Sequence, residues 1–279
     1  MSERGSQAIH RAMSVFDCFT ADHPVVSLTE IASQTGLTMP TAHRMVKALQ
    51  SRDLLVQDPA SGHYSLGPAV MRLARIVMQR NSPDELLRIA LPYLEQLRVE
   101  TQETVGLHWP VGSDRVCVAE LTSRHPMRMA TGIGSVYPVH VGAAGKALVA
   151  WTPEHVLERI IGDHGHDPLT SDTITEPGAL RRELKRVRNR GWAKSQGETV
   201  EGATALAGPI FAPGGVVAAA INVTGPTNRL TKKRIEEAVP ALLEVTRTIS
   251  LQLGFRPDEP EPVSHDEPDG AKALADDQH

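Results

Sequence analysis

The sequence predicts an α+β protein made of two folded parts, because helical and strand-like patterns are mixed without regular alternation. A helical stripe at 6–20, two short capped helices and a hairpin come first, and strand-like runs with interspersed helices follow. A chain of 279 residues also exceeds the roughly 100–150 residues of a typical single domain. The predicted boundaries are a winged helix-turn-helix at 6–67 (its helix-turn-helix at 27–47, its wing at 54–66), a linker helix at 68–82, a second domain with an antiparallel sheet at 83–254, and a disordered acidic tail at 255–279.

The helix-turn-helix prediction depends on signals that start and stop helices. Ser27 and Glu30 have the S-x-x-E spacing of a capping box, which predicts a helix start. Gly36 ends that helix after little more than two turns. Thr38 can cap a second helix, and Pro40 is tolerated in its first turn. Two short capped helices joined at a glycine are typical of a helix-turn-helix.

A change of period after the second helix predicts a hairpin. Residues 54–57 and 63–66 have strand patterns and enclose the turn-rich loop Asp-Pro-Ala-Ser-Gly at 58–62. A hairpin in this place is the wing of a winged helix-turn-helix. A helical stripe of apolar residues then runs from Gly67 to about Arg80 and predicts the linker helix.

The second helix of the motif divides into an apolar and a polar face at 100° per residue. The apolar face carries Ala42, Met45, Val46 and Leu49, and the polar face carries Pro40, His43, Arg44 and Lys47. A helix that packs on one side and enters a major groove roughly 12 Å wide with the other needs this division. Arginine suits guanine, and lysine suits phosphate. The predicted DNA-binding residues are Thr38, Thr41, His43, Arg44, Lys47, Gly62, His63 and Tyr64.

An isolated helix with this pattern is more often an ordinary solvated amphipathic helix. The ordered series of capping box, glycine turn, amphipathic helix and hairpin favours DNA binding instead.

The second domain has weaker patterns. They predict strands at 105–109, 116–121, 127–131, 205–211 and 216–223, and helices from Pro83 and at 145–151, 153–161, 177–190 and 231–253.

The charge of the chain is unevenly distributed. The formal net charge is -4, yet residues 257–279 alone contain eight acidic residues and one lysine, so the rest of the chain is net basic. The acidic, Pro-rich composition predicts that this tail is disordered. No apolar run approaches the roughly 20 residues of a membrane helix, and the first residues lack the apolar segment of a secretory signal. We therefore expect a cytoplasmic protein without membrane contact.

Motifs of catalysis or metal binding are weak in this sequence. Gly142 to Ala147 echo a phosphate-binding loop, but His140 and Ala147 stand where that loop needs glycine and a hydroxyl residue. His164 and His166 lie between two aspartates, where a solvated loop is a better interpretation than a metal site. No G-x-S-x-G or H-E-x-x-H motif is present. We expect no enzyme activity, no metal and no cofactor.

At this point the residues resemble a known family. SLTEIASQTGLTMPTAHRMVKAL and the following DPASGHYSLGP resemble the DNA-binding domain of the IclR family of bacterial transcriptional regulators. VYPVHVGAAGKALVAW, TITEPGALRRELKRVRNRGWA and VAAAINVTGPTNRLT resemble that family's effector-binding domain in order and spacing. The resemblance covers about residues 6–254. Pro40 departs from it, since family members commonly carry serine there, which puts a phosphate contact at that position in doubt.

The resemblance implies a GAF-like second domain that encloses a small organic effector, often a carboxylate or an aromatic acid. Backbone N–H groups of Ala143 and Ala144 at a helix start could hold a carboxylate. Asn222 and Thr224 point to one face of a strand, although hydrogen bonding at the sheet edge explains each equally well. Small residues at several pocket positions favour a bulkier effector. The implied ligand-binding residues are Met129, Ala143, Ala144, Ser195, Ala203, Ala205, Asn222 and Thr224.

These observations predict a ligand-responsive transcriptional regulator, a repressor or an activator, that controls a metabolic or catabolic operon. Its partners would be double-stranded operator DNA, a small organic effector and a second copy of itself, as a homodimer or a dimer of dimers. The alternative is a ligand-binding or enzymatic GAF-like protein whose N-terminal unit serves only assembly. A third interpretation is a sensor with a vestigial DNA-binding unit.

Overall fold

The computed structural model describes residues 3–20, 23–79, 83–163 and 168–257. The chain divides into two compact units, with the boundary after Asp84. Each unit has its own sheet and its own hydrophobic core. In the parts of the chain that the structure describes, no helix is long and apolar enough to cross a membrane.

The first unit combines four helices and three short strands within its described part. They are α1 (Glu3–Phe16), β1 (Val25–Val26), α2 (Leu28–Thr35), α3 (Met39–Gln50), β2 (Leu55–Gln57), β3 (Tyr64–Leu66) and α4 (Pro68–Gln79). The strands form an antiparallel sheet in the order β1-β3-β2. β1 is too short to have been predicted from the sequence. The predicted helix-turn-helix and its hairpin are therefore present.

The capping box at the start of α2 is confirmed. The Ser27 hydroxyl accepts the N–H of Glu30 at 3.2 Å, and the Glu30 carboxylate accepts the N–H of Ser27 at 2.6 Å. Gly36 follows α2 in the left-handed region (φ 67°), which favours glycine. Thr38 occupies the N-cap position of α3, but its hydroxyl bonds the hydroxyl of Thr41 at 2.9 Å instead of a backbone N–H. The prediction of a side-chain cap at Thr38 is therefore wrong.

The second unit is built around one six-stranded sheet. Its described elements are α5 (Pro83–Thr101), β4 (Thr104–Val111), β5 (Asp114–Leu121), β6 (Val136–Pro138), α6 (Gly142–Val149), α7 (Glu154–Asp163), α8 (Pro177–Arg190), β7 (Ala193–Gln196), β8 (Ala203–Phe211), β9 (Val217–Pro226) and α9 (Lys232–Gln252). The strand order is β6-β5-β4-β9-β8-β7, and every neighbouring pair is antiparallel. This confirms the α+β class and the antiparallel sheet.

Helices cover both faces of this sheet. Ala207 of β8 belongs to the same buried cluster as residues of α6, α7 and α8. Its neighbour Gly208 faces α9, where an added β-carbon would lie 3.1 Å from the Thr246 side chain. Because successive strand residues point to opposite faces, α6 and α9 lie on opposite sides of the sheet. The site described below lies on the α6 side.

The prediction of a strand at 127–131 is wrong. These residues belong to an irregular connection between β5 and β6, residues 122–135, which we call the covering loop. The Glu120 carboxylate accepts the N–H groups of Thr131 (2.7 Å) and Gly132 (3.2 Å). These bonds satisfy backbone donors that a strand would pair with a neighbour. The strands β6 and β7 were not predicted, because one is short and the other is rich in polar residues.

Two further predictions meet the limits of the described residues. The metal candidates His164 and His166 and most of the predicted tail, 258–279, lie outside them. The tail was predicted to begin at 255, but Phe255 stacks on Phe211 with ring centroids 5.1 Å apart. Phe255 therefore belongs to the folded unit.

Candidate DNA-binding surface and ligand pocket

The helix α3 presents the polar face that its sequence predicts. Ala42 and Val46 are fully buried, whereas His43, Arg44 and Lys47 are exposed. The buried side packs in the core of the first unit with residues of α1 and α2. The three exposed side chains on one face are able to donate hydrogen bonds to base edges and phosphates.

The wing is a turn stabilised by its own polar side chains. The Asp58 carboxylate accepts the N–H of Ala60 at 3.0 Å and the hydroxyl of Ser61 at 2.7 Å. These bonds lower the pKa of Asp58 and keep it ionised. Gly62 has a φ of 73°, which favours glycine, and Gln57 donates to its carbonyl at 2.9 Å. His63 is half-buried beside this turn.

Tyr64 is not available on this surface. Its side chain is only 3% exposed and packs in the core of the first unit with Val26 and Leu55. The sequence placed it in the DNA-binding set because it lies in the wing. It lies on the inner face of strand β3, so it supports the wing from below, and we leave it out of the candidate interface.

The second unit contains a cavity of about 80 Å³ between the sheet, the start of α6 and the covering loop. All eight residues that the resemblance implies line it. They are Met129, Ala143, Ala144, Ser195, Ala203, Ala205, Asn222 and Thr224. Six lining residues were not predicted, namely Arg115, Ala130, Thr131, Tyr137, Thr199 and Val200. The small side chains predicted a roomy pocket, but Tyr137, Met129 and Val200 reduce its volume.

A chain of buried hydrogen bonds crosses the sheet beneath the cavity. The Arg115 guanidinium donates to Nδ1 of His108 at 3.0 Å, and Nε2 of His108 lies 3.0 Å from the side-chain oxygen of Asn222. The Asn222 amide in turn donates to the Thr224 hydroxyl at 2.7 Å. Because Nδ1 accepts from a cation, Nε2 carries the proton and donates to Asn222. The Thr224 hydroxyl is left to donate its own proton into the cavity.

Burial determines the charge states of the groups in this hydrogen-bonded series. Desolvation, assisted by the nearby charge of Arg115, lowers the pKa of His108 to about 3, so the imidazole is neutral at physiological pH. Desolvation also lowers the pKa of Arg115, to about 10, which leaves the guanidinium charged. Arg115 additionally stacks on the Tyr137 ring, 4.9 Å from its centroid. The hydrogen-bonded series therefore holds one positive charge at the cavity, on Arg115.

Gly106 makes room for the central hydrogen bond of the chain. It faces Asn222 across the β4–β9 pair. A β-carbon at Gly106 would lie 2.6 Å from the Asn222 side-chain oxygen and 3.0 Å from Nε2 of His108. Contacts this short are repulsive. A side chain at position 106 would separate His108 from Asn222.

A buried ion pair fixes the loop between β7 and β8, residues 197–202, which forms another wall of the cavity. Lys146 of α6 pairs with Glu198, and both side chains are buried. Thr173 donates to the Glu198 carbonyl at 2.7 Å. Burial raises the pKa of Glu198, while Lys146 and the N–H of Gly142 oppose that rise. Thr199 and Val200 follow directly and are thereby held against the start of α6.

Of the residues that sequence reasoning missed, Arg115 is the most important. The sequence pattern did not mark it, because Val116 and Val118 are the more apolar series of β5, whereas in the structure Arg115, Cys117 and Ala119 are the buried series. An arginine in the buried series of a strand suggests a buried polar network. The partners His108 and Asn222 lie too far away in sequence for the pattern alone to find them.

A winged helix-turn-helix with an exposed basic helix face, in one chain with a domain that encloses a polar pocket, defines a ligand-responsive transcriptional regulator. Comparison with known families gives the same result. Residues 8–59 match the IclR helix-turn-helix domain, and residues 80–251 match the C-terminal domain of bacterial transcriptional regulator IclR. The chain belongs to the IclR family of bacterial transcriptional regulators.

Individual relatives agree with this assignment. The HTH-type transcriptional repressor AllR of Escherichia coli K12 is 28% identical over 256 residues, which is 92% of this chain and 93% of AllR. The structure of Thermotoga maritima IclR has a TM-score of 0.72 at 26% identity, and the match covers 90% of this chain and 100% of the Thermotoga chain. An IclR homologue of Microbacterium hydrocarbonoxydans, complexed with 4-hydroxybenzoate, has a TM-score of 0.71 at 25% identity. The match covers 88% of this chain and 98% of that homologue.

Proposed function

We propose that this protein is a cytoplasmic, homodimeric regulator that binds double-stranded operator DNA through α3 and the wing and changes its DNA affinity when a small organic effector enters the cavity. In this proposal residues 6–67 bind DNA, 68–82 link, and 83–254 sense the effector. The protein acts by binding and catalyses no reaction. The name of its AllR relatives favours repression as the output.

The observation that carries the DNA-binding half is the exposed face of α3. His43, Arg44 and Lys47 are exposed on one side of a helix whose other side is fixed in the core. Thr38 and Thr41 stand at the start of the same helix with their hydroxyls paired. Gly62 and His63 extend the interface to the wing. Phosphate contacts would position the protein, and Arg44 would read a guanine.

Exposed apolar side chains support self-association of the first unit. Ile9 and Met13 of α1 are 62% and 57% exposed, and Met71 and Leu73 of α4 are 73% and 57% exposed. Two large apolar residues on each of two helices are a candidate surface for a second copy. A twofold dimer presents two α3 helices to two half-sites about one helical turn apart, which requires a pseudo-palindromic operator.

The effector half of the proposal is supported by the lined cavity and by one relative. The Microbacterium homologue was solved with 4-hydroxybenzoate, a small organic acid. Here the cavity is enclosed by the sheet, α6 and two loops, and it combines small apolar residues with convergent hydroxyl and amide groups. Such a combination is typical of small-molecule sites.

The test of DNA binding starts from a random duplex library, because full-length protein can select its own operator. We expect enrichment of a pseudo-palindrome. Arg44→Ala should bind the selected sequence roughly 5- to 150-fold more weakly, because the loss of one bidentate base contact costs about 1–3 kcal/mol. Arg11→Ala, which removes an exposed arginine of α1 outside the proposed interface, is the matched control.

Two results would overturn this function. One is the absence of any enriched sequence, which favours the alternative in which the first unit serves only assembly. The other is equal discrimination between selected and random DNA by wild type and Arg44→Ala. Sedimentation of the free protein tests the dimer separately, and a monomer at micromolar concentration would contradict it.

A further inference from the structure

A second opening in the second unit is lined by aromatic side chains and lies apart from the cavity described above, which we now call the effector cavity. It lies where the end of β8 meets the second half of α9 and the residues just after α6. Its volume is about 290 Å³. We call it the aromatic groove, and its main walls are Trp151, Phe211, Leu243, Arg247, Leu251 and Phe255. No residue lines both the groove and the effector cavity among the described residues.

Three aromatic rings of the groove contact one another. Phe211 meets Trp151 edge to face, with ring centroids 5.2 Å apart, and it stacks on Phe255 at 5.1 Å. Two of the four phenylalanines of the chain and one of its three tryptophans therefore meet at this place. All three side chains are only half-buried, so part of each ring remains exposed to water. Apolar surface left exposed in a groove is typical of a binding site.

The two hydroxyl groups of the groove are already bonded within the fold. The Ser250 hydroxyl accepts the N–H of Phe211 at 2.9 Å and donates to the Thr246 carbonyl at 2.6 Å. The Thr246 hydroxyl donates to the Leu243 carbonyl at 3.2 Å. Neither hydroxyl proton is free to bond a ligand, so the α9 wall of the groove favours an apolar molecule.

The charge of the groove is complementary to an aromatic ring. Arg247 is the one charged residue among the described residues that line it. Its side chain is exposed, and within the described parts of the chain it forms no ion pair. The face of an aromatic ring carries the negative part of the ring quadrupole, which attracts a guanidinium. An anion gains less from Arg247, because water screens an exposed charge.

The volume of the groove determines the size of the ligand. A cavity of roughly 150 Å³ holds one benzene ring. The groove, at about 290 Å³, has space for two fused rings. The effector cavity, at about 80 Å³, does not. A molecule of two rings therefore distinguishes the two sites.

We propose that the aromatic groove is a second ligand site and that it binds a flat, uncharged molecule of two fused aromatic rings. Trp151, Phe211 and Phe255 supply apolar contact, and Arg247 attracts the ring face. The effector cavity lies at the start of α6 and the groove lies just after its end, so both sites can be occupied at once. This inference goes beyond the proposed function and does not depend on it.

The experiment measures calorimetric binding of 2-naphthol to the full-length protein. Phenol lacks the second ring, and decahydro-2-naphthol keeps the carbon skeleton but is neither aromatic nor flat. We expect 2-naphthol to bind at least about 10-fold more tightly than phenol, because the second ring buries more apolar surface. It should bind at least about 5-fold more tightly than decahydro-2-naphthol, which lacks the ring quadrupole. 2-Naphthoate, which adds a negative charge, should bind no more tightly than 2-naphthol.

Four variants locate the bound molecule. Phe255→Ala should weaken 2-naphthol binding at least about 10-fold, and Phe255→Leu, which keeps an apolar wall without a ring, should weaken it less. Arg247→Met should weaken it about 2- to 5-fold. Its matched control is Arg159→Met, which removes an exposed arginine of α7 outside the groove and should bind like wild type.

Ala144→Leu, which fills the effector cavity, should leave 2-naphthol binding unchanged. Tryptophan fluorescence melts establish that each variant is folded. If Phe255→Ala does not fold, Phe255→Leu and Arg247→Met decide.

Several results would overturn this inference. Equal binding of 2-naphthol and its decahydro form would contradict the aromatic class, equal binding of phenol would contradict the size, and tighter binding of 2-naphthoate would contradict the absence of charge. Loss of binding in Ala144→Leu, with no change in Phe255→Ala, would place the molecule in the effector cavity.

Two other occupants of the groove are tested on the same preparations. If Phe255→Ala sediments as a smaller species than wild type, a second copy of the chain covers the groove. If 2-naphthol binds only after residues 258–279 are removed, that segment occupies it. Either result would refute a ligand site. A protein that selects its operator but binds none of these compounds refutes the ligand site alone and leaves the proposed function intact.

Discussion

The buried, neutral His108 should make the second unit less stable at mildly acidic pH. In the unfolded chain the imidazole has its ordinary pKa of 6.5, whereas in the folded protein its pKa is about 3. Between these values the unfolded state binds a proton that the folded state does not bind. The contribution of His108 to stability is therefore fully present above pH 6.5 and is lost progressively as the pH falls toward 3.

The magnitude follows from the two pKa values. At pH 5 the unfolded imidazole is almost fully protonated and the folded one is neutral. This pH lies about 1.5 units below the ordinary pKa of 6.5, and each unit is worth about 1.36 kcal/mol. Protonation of His108 in the unfolded chain therefore lowers the free energy of unfolding by about 2 kcal/mol. This is a large fraction of the roughly 5–15 kcal/mol that stabilises a domain. Arg115 and Asn222 face the imidazole, and only Arg115 is charged.

The assay is urea unfolding followed by tryptophan fluorescence at pH 7 and pH 5. All three tryptophans lie in the second unit, so the signal reports that unit alone. We compare wild type with His108→Gln, which removes the titrating group, and with His125→Gln, an exposed histidine of the covering loop. The loss of stability on going to pH 5 should be about 2 kcal/mol smaller in His108→Gln. His125→Gln should follow wild type.

The difference between variants at two pH values cancels the titration of other groups. A loss of stability that is the same in wild type and His108→Gln would refute the assignment of a neutral, buried imidazole. It would mean that His108 becomes protonated within the folded protein and that its hydrogen bond to Arg115 is broken.

Three further substitutions test other parts of the structure. Ala144→Leu should fill the cavity and abolish the response to effector while operator binding stays, and an unchanged effector titration of the operator complex would place the sensing site elsewhere. Gly106→Ala should destabilise the second unit by about 1–3 kcal/mol, because the new methyl group would lie 2.6 Å from the Asn222 oxygen. The control is Gly162→Ala on α7, where the added methyl group would meet open space and should not destabilise the unit. Ser27→Ala should cost the first unit about 1 kcal/mol through loss of the N-cap, measured by calorimetric melting, and an unchanged melting temperature would deny the capping box an energetic role.

Local signals made most of the first unit predictable. The capping box at Ser27 and the left-handed glycine at position 36 act over a few residues, so they can be read directly from the sequence. The division of α3 into two faces follows from helical period alone. Tyr64 was misplaced because a two-residue period shows that neighbours alternate, but not which of them faces the core.

The second unit was predictable mainly through its resemblance to a family. That resemblance supplied all eight implied residues of the pocket lining, which composition and period could not have found. The role of Arg115 depends on His108 and on Asn222, and the hydrogen bond between those two residues spans 114 positions. The covering loop was mistaken for a strand because its apolar residues alternate, whereas its backbone is bonded to the Glu120 carboxylate.

The strand order also determines when the pocket can form during protein synthesis. β9 lies between β4 and β8, so the centre of the sheet is completed by a strand that begins at Val217. The first unit has its own core and is finished long before that strand leaves the ribosome. A nascent chain should thus become able to bind DNA before it can sense its effector. A truncated protein that ends at residue 215 should bind the operator at every effector concentration, as a permanently unresponsive regulator.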